Sequence, residues 1–390
     1  MKIIMGGMRP AVRNIFGVLV FRPGRMLLLG IFVFFYGVGL ISMAKELPPF
    51  PWIREFAEQS LGVPFGDKAT PEFDPGAVTD IERAANVPEL IRFRSTQDTK
   101  KIRNILAGVI WDGKQPPQWE AGAVRPAKSL DWQDLDGLKE SRRFVVLQPH
   151  GLDSAIDILI PMASASGFIV WLSHDVVPPD FLETLLSHGQ MLALVSLPTQ
   201  GDTPRPLVET DHGMILFTYL DHLNFLRSRE SVEPYIFAPV TQAVNFLASM
   251  SNSTCIDIVG ISQTAIIAAV QAAIDTRICA SISLIAPSPH FLYRTQFQEK
   301  PHTANIYQHV NRLEIATLAG LGRGRSHTQV QLAHDARSGG GAKTELYASD
   351  VNRAIQSLGE GEFSAIEDDT TIHHELSKLM QRVILETLAQ

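Results

Sequence analysis

At 390 residues and 45% hydrophobic content, the chain can bury a large core and reads as one large domain with appendages. A formal net charge of −7 and a pI near 5.9 exclude the basic face that a nucleic-acid partner demands. Two cysteines cannot build a disulfide framework; Cys255 and Cys279 open two consecutive predicted strands, where one bridge competes with the plainer reading of two buried free thiols.

The first predicted element is apolar and uncharged. Residues 26–44 (MLLLGIFVFFYGVGLISMA) are about long enough to cross a bilayer core. Lys2, Arg9, Arg13, Arg22 and Arg25 precede them without an acidic residue, whereas Lys45 is followed at once by Glu46. That imbalance predicts a single-pass anchor with a cytoplasmic N-terminus and the remainder outside the cytoplasm, periplasmic in a Gram-negative cell. A cleaved signal peptide competes with it, because Ser42-Met43-Ala44 carries small residues at cleavage-type positions. Leu47-Pro48-Pro49-Phe50-Pro51 reads as a stiff spacer. The organisation expected is a leader and anchor over 1–45, a spacer and extension over 46–140, and one domain over 141–390. Within the extension, Thr79–Val87 and Thr99–Ile110 have helical patterning and no evident chemistry.

From residue 141 onward strand and helix signals alternate, which predicts a mostly parallel sheet covered on both faces. Apolar strands are expected at Phe144–Leu147, Phe168–Leu172 and Met191–Val195, and a helix over Pro234–Met250. The strand Ile256–Val259 leads through Gly260-Ile261-Ser262 into a small-residue helix from Ala265 to Asp275. Ile278–Ile285 forms the next strand. The stretch 288–321 is where a lid would be inserted; its Phe291, Leu292, Tyr293, Phe297 and Tyr307 would either line an acyl or sugar site or pack. A strand at Val330–Ala333 runs into His334-Asp335, then come a helix at Leu346–Leu358, a strand at Glu362–Ile366 and a terminal helix at Leu376–Leu388.

A serine on the sharp turn between strand and helix would present its hydroxyl at the strand's carboxyl end, with the following N–H aimed at a reacting oxygen. Acyl transfer needs in addition a base and a carboxylate to orient it. Ser262, Asp335 and His374 stand in the chain order serine, acid, histidine, each after a predicted strand. Asp275, Asp350, Asp368 and Asp369 are rival acids, Asp368 as an assistant to the base, and His373 is the rival base. Ser262 as a plain helix N-cap is the competing structural reading. His150 reads as shaping its turn, while His212 and His222 would touch substrate or simply pack. His373-His374-Glu375 lacks the second histidine of H-E-x-x-H, and no Cys/His cluster has ligand spacing, so neither metal nor cofactor is expected.

From Phe144 to the C-terminus the chain resembles the α/β-hydrolases of the bacterial serine esterase type. The likeness rests on Val146-Leu147-Gln148-Pro149-His150-Gly151, Leu194-Val195-Ser196-Leu197-Pro198-Thr199-Gln200-Gly201-Asp202, Ile258-Val259-Gly260-Ile261-Ser262 and His374-Glu375-Leu376-Ser377, in that order. The resemblance implies an α/β-hydrolase fold with a Ser–His–acid triad and backbone oxyanion donors. Carried over by position, those donors are the N–H of Gln263 and one from the His150 turn, Gly151 or Leu152. Gln263-Thr264 departs from the small pair usual at such an elbow. The expected function is a membrane-anchored serine hydrolase cleaving small-molecule, lipid or acylated-sugar esters through an acyl-enzyme. An acyltransferase with the same triad, or a hydrolase-fold binding or assembly protein without turnover, are the alternatives.

Overall fold

The computed structural model describes residues 78–389 apart from 119–123, 128–131, 133, 173–176, 251–254, 293–302, 334–340 and 372. The expected anchor at 26–44 lies outside the described residues, as do Asp335, Tyr293 and Phe297. Among the described residues no helix is long and apolar enough to cross a membrane.

Nine strands form the central sheet: β1 (Val124–Ala127), β2 (Leu138–Val146), β3 (Ser154–Pro161), β4 (Gly167–Leu172), β5 (Gln190–Ser196), β8 (Ile256–Ile261), β9 (Ile278–Leu284), β10 (Ser326–Leu332) and β11 (Glu362–Asp368). A hairpin of β6 (Leu207–Thr210) and β7 (Gly213–Leu216) stands apart. The order across the sheet is β1-β2-β3-β5-β4-β8-β9-β10-β11. From β5 to β11 all neighbours are parallel; β1, β2 and β3 add on antiparallel. The parallel strands read as unbroken apolar runs because helices cover both faces.

Those helices are α1 (Thr96–Ile110), α2 (Pro179–Ser187), α3 (Glu233–Met250), α4 (Ala265–Ile274), α5 (Arg312–Gly320), α6 (Ala348–Leu358) and α7 (Lys378–Leu388). Strand alternation divides the core in two. Val170, Leu172, Ala193, Val195 and Ile258 point to one layer with α1, α3, α4, α5 and α6. Ile169, Trp171, Leu192, Leu194 and Val259 point to the other, with α2 and α7.

Three stretches left open by the sequence take a place in the structure. The compact unit spans Asp74–Gln390, so residues 78–140 of the expected extension pack with the domain expected over 141–390. Leu106 and Ile110 of α1 are fully buried, β1 pairs with β2, and Arg92 grips Glu314 of α5 through Nε–Oε1 at 2.8 Å and Nη2–Oε2 at 2.7 Å. Lys343 reaches back to Glu82 at 2.9 Å, both side chains nearly inaccessible. In the second half of the stretch 288–321, every residue of α5 is buried and the helix packs on α4. Leu292 is a core residue, with Phe291 and Tyr307 packed against that core. Finally, Cys255 and Cys279 are joined by a disulfide rather than being free thiols. They start adjacent parallel strands with Cα atoms 5.3 Å apart, a separation a bridge spans directly.

Candidate active site

The parallel strands share one carboxyl rim, and β8 ends there in an elbow. Ser262 follows Ile261 with φ of +55°, a left-handed conformation rare for a residue with a Cβ. A 3-10 turn over Ser262–Thr264 then runs into α4. Gly260 makes this crossing possible: a Cβ there would lie 2.3 Å from the Thr264 carbonyl oxygen. The departure at Thr264 also has a physical reason. Its hydroxyl accepts the Ile261 N–H at 3.0 Å and lies within donating distance of the Ile261 carbonyl, so it stitches the end of β8 to the start of the turn.

The half-buried Ser262 hydroxyl sits 3.4 Å from Nδ1 of His374. At 3.4 Å this is a long contact for a hydroxyl and an imidazole nitrogen. His374 rides on the exposed loop between β11 and α7. Asp368, the last residue of β11 and fully buried, ties that loop at both ends. Its Oδ1 accepts the Thr370 N–H at 2.9 Å and the Thr370 hydroxyl, and its Oδ2 accepts the Ser377 hydroxyl. Ser377 in turn caps α7 by accepting the Met380 N–H at 3.0 Å. Sequence reasoning ranked Asp368 as a rival acid and missed this bracing role. The signal available was a strand-end Asp nine residues before a serine N-cap.

The other candidates disperse. Asp335 lies outside the described residues. Asp275 pairs with Arg277 at 2.6 Å beside the start of β9, on the opposite rim, and Asp350 pairs with Arg353. Asp369 and His373 are exposed neighbours of the loop, and the His373 N–H is donated to Thr371 at 3.0 Å. His150 Nε2 lies 2.7 Å from Glu230 Oε1, and its φ of +60° shapes the turn after β2. His222 packs edge-on against Phe217, Tyr219 and Phe225, and His212 against Phe225.

Gln263 and the β2–β3 turn separate as oxyanion donors. The Gln263 N–H belongs to the first helical turn, whose amides have no partner within the helix. Its side chain meets Asp221 at 3.4 Å. Gly151 and Leu152 share the carboxyl rim, but β5 and β4 stand between β3 and β8, a gap of about 14 Å at the usual strand spacing. Leu152 also donates its N–H to the Pro149 carbonyl at 3.2 Å and is buried. The loop after β4, next to the elbow, comprises residues 173–176 and lies outside the described residues.

A cavity of about 390 Å³ opens at the other end of the sheet, lined by Asp257, Arg325, Gln190 and the disulfide, away from Ser262. Burial pushes the Asp257 carboxyl up to about 6, although the Ala280 N–H at 2.9 Å favours the charged form.

No protein-family model matches the sequence, and no curated protein matches it either. Solved structures do. The methylesterase BT1017 superposes with a TM-score of 0.55 at 12% identity, over 76% of this chain and 65% of that one. A promiscuous CE15 esterase from the marine bacterial metagenome superposes with a TM-score of 0.50 at 11% identity, over 75% of this chain and 91% of that one. The chain thus spans just under two thirds of the methylesterase's length. With its strand order and its left-handed serine at the end of β8, this chain has the α/β-hydrolase fold.

Proposed function

We propose that the chain is a serine hydrolase of carboxylic esters, with Ser262 as nucleophile and His374 as base. The observation carrying this reading is the left-handed Ser262 at the end of β8 with its hydroxyl 3.4 Å from the His374 ring. In this mechanism Ser262 Oγ attacks the acyl carbon while His374 takes its proton. The Gln263 N–H stabilises the tetrahedral oxyanion, and the alcohol leaves with the proton that His374 returns. Water then repeats the sequence on the acyl-enzyme. Asp335, following β10, is proposed as the carboxylate that holds the imidazole; Asp368 is proposed as a positioning residue that fixes the loop carrying it. The two structural neighbours named above are a methylesterase and a promiscuous esterase, which supports ester cleavage as the reaction class; small-molecule, lipid or acylated-sugar esters are proposed as substrates.

The domain is proposed to work outside the cytoplasm on a retained N-terminal anchor. The apolar run at 26–44 with its basic leader supports that placement, and so does the Cys255–Cys279 bridge, since disulfides persist in oxidising compartments.

A fluorophosphonate probe should label Ser262, and Ser262→Ala should abolish both labelling and ester turnover. Folded wild-type protein that refuses the probe would favour a binding scaffold without turnover. Asp335→Asn should lower kcat/KM by roughly 10⁴ with little change in thermal midpoint. Asp368→Asn should mainly lower the midpoint; the reverse pattern reassigns the acid. Added alcohols or sugars that outcompete water as acyl acceptors would turn the hydrolase into a transferase.

A further inference from the structure

The β6–β7 hairpin is built inside out. Its inward face is ordinary: Val208 is buried, and Ile215 packs against the core. On the outward face Leu207 stands directly opposite Leu216, and Glu209 opposite Met214. Leu207, Met214 and Leu216 are each more than half exposed, and Tyr219 just beyond β7 is 70% exposed. Five of the nine exposed large hydrophobic residues among those described are these four and Leu147, on the turn that abuts the hairpin where Gly151 approaches Pro206. A free hairpin normally turns polar side chains outward, and contiguous apolar exposure marks an interaction surface.

The position of this face limits what can cover it. The hairpin follows the carboxyl end of β5, and the Leu220–Leu226 segment after it touches the Ser262 elbow through Asp221 and Gln263. The platform therefore shares a rim with the candidate active site. The chain also carries its own apolar, uncharged stretch at 26–44, joined to the compact unit by residues 45–73, which fully extended would reach at most about 105 Å. The charged side chains within Leu207–Leu216 are Glu209 and, at the hairpin tip, Asp211, which pairs with Arg229 at 2.7 Å, so the platform has no cluster of cations that would demand an anionic partner.

We propose that the outward face of β6–β7, with Tyr219, seats on a lipid surface, turning the Ser262 rim toward the bilayer. The seating draws on the proposed anchor and not on the hydrolase chemistry, so either can fail without the other. Long apolar side chains beside an amphipathic tyrosine are the residues that enter the headgroup boundary.

The test uses the full chain carrying an environment-sensitive dye at Met214→Cys, compared with the same dye at Glu386→Cys on α7. On addition of neutral phosphatidylcholine vesicles, emission from position 214 should shift to the blue and rise about twofold or more, with position 386 unchanged. A dye placed at Tyr219→Cys should respond likewise and lose most of that response in the Leu207→Ser/Met214→Ser/Leu216→Ser variant. Emission from position 214 that tracks position 386 overturns the proposal. So does a shift that appears without vesicles and grows with protein concentration, which would mean that a second copy of the chain covers the face. Fluorophosphonate labelling of the same samples reports separately on the hydrolase reading.

Discussion

The two rims of the sheet are built on different principles. Four of the five non-glycine residues with left-handed backbone among those described, His150, Thr199, Ser262 and Ile285, lie just past strand ends on the carboxyl rim or in the β2–β3 turn beside it. The amino rim is instead cross-linked. Cys255 is bonded to Cys279, and the buried Arg325 donates to the carbonyls of Ile278 and Leu321 at 2.8 Å and of Ala272. Asp257 holds the Ala280 amide. Each left-handed residue costs on the order of 1 kcal/mol or more, and it persists only where surrounding structure over-determines it. The comparison suggests a division of labour, with stability concentrated at one end of the strands and strained, accessible groups at the other.

The largest expected effect is at the strained rim. Gly260→Ala would drive a Cβ to 2.3 Å from backbone that cannot swing away, and should cost about 4 kcal/mol or leave no folded protein. Gly324→Ala on the amino rim is the matching control. It meets nothing within 4 Å, and at φ of +66° should cost only about 1 kcal/mol. Urea unfolding of the two variants checks the contrast, and similar losses would break it.

Removing the bridge comes next. The 24-residue separation between Cys255 and Cys279 encloses the elbow and α4 entirely, and opening that loop should cost about 3 kcal/mol by chain entropy. The Cys255→Ala/Cys279→Ala variant should unfold at lower urea while fluorophosphonate still labels Ser262 at 25 °C. A folded variant that no longer labels would show that the rims are coupled.

Asp257 sharpens the comparison through pH. Its folded pKa of about 6 stands above the unfolded value of about 3.9, so the folded state binds the extra proton. This group therefore works against folding above pH 6, and that penalty disappears as pH falls from about 6 toward 4. His327, buried beside Ser281 and held down to about 4, acts in the opposite sense, losing stability as pH falls below 6.5. The quantity to read is thus the difference between Asp257→Asn and wild type. At pH 7.5 the Asn variant should be more stable by about 2–3 kcal/mol, since its amide oxygen can still accept the Ala280 N–H, and the two should converge near pH 4.5. A difference that does not vary with pH would mean that Asp257 is not strained by burial.

What could be read from sequence follows the same division. The parallel strands β4, β5, β8 and β9 announce themselves because both faces are buried. β3 is almost as buried, yet Asp157 interrupts its apolar run, and that carboxylate makes sense only beside Arg143 of β2 at 3.6 Å. β1 and most of β2 carry charged, half-exposed residues, and only their pairing identifies them. At the candidate site, strand ends and chain order were enough to single out Ser262 and His374, whose side chains lie 3.4 Å apart. The distance of Gly151 and Leu152 from the elbow was not legible, because a His-Gly turn says nothing of which strand it follows, and the sheet order, with β5 and β4 in between, is a long-range property. The bracing by Asp368 was hidden for a related reason: it depends on Thr370 and Ser377 folding back onto one buried carboxylate.

The smallest effect concerns the residue that departs from the expected elbow pattern. If Thr264 were a tolerated accident, replacing its hydroxyl would matter little. The geometry argues otherwise, because the Ile261 N–H is donated to the Thr264 hydroxyl oxygen at 3.0 Å inside the core. Thr264→Val keeps the shape and removes that acceptor, and should cost about 1–2 kcal/mol in urea unfolding. Thr264→Ser keeps the acceptor and gives up a methyl group, a loss of about 1 kcal/mol or less. The order of the two variants carries the argument. A valine variant as stable as the serine one would mean that the Ile261 amide finds another partner, and the elbow would then rest on Gly260 and the left-handed serine alone.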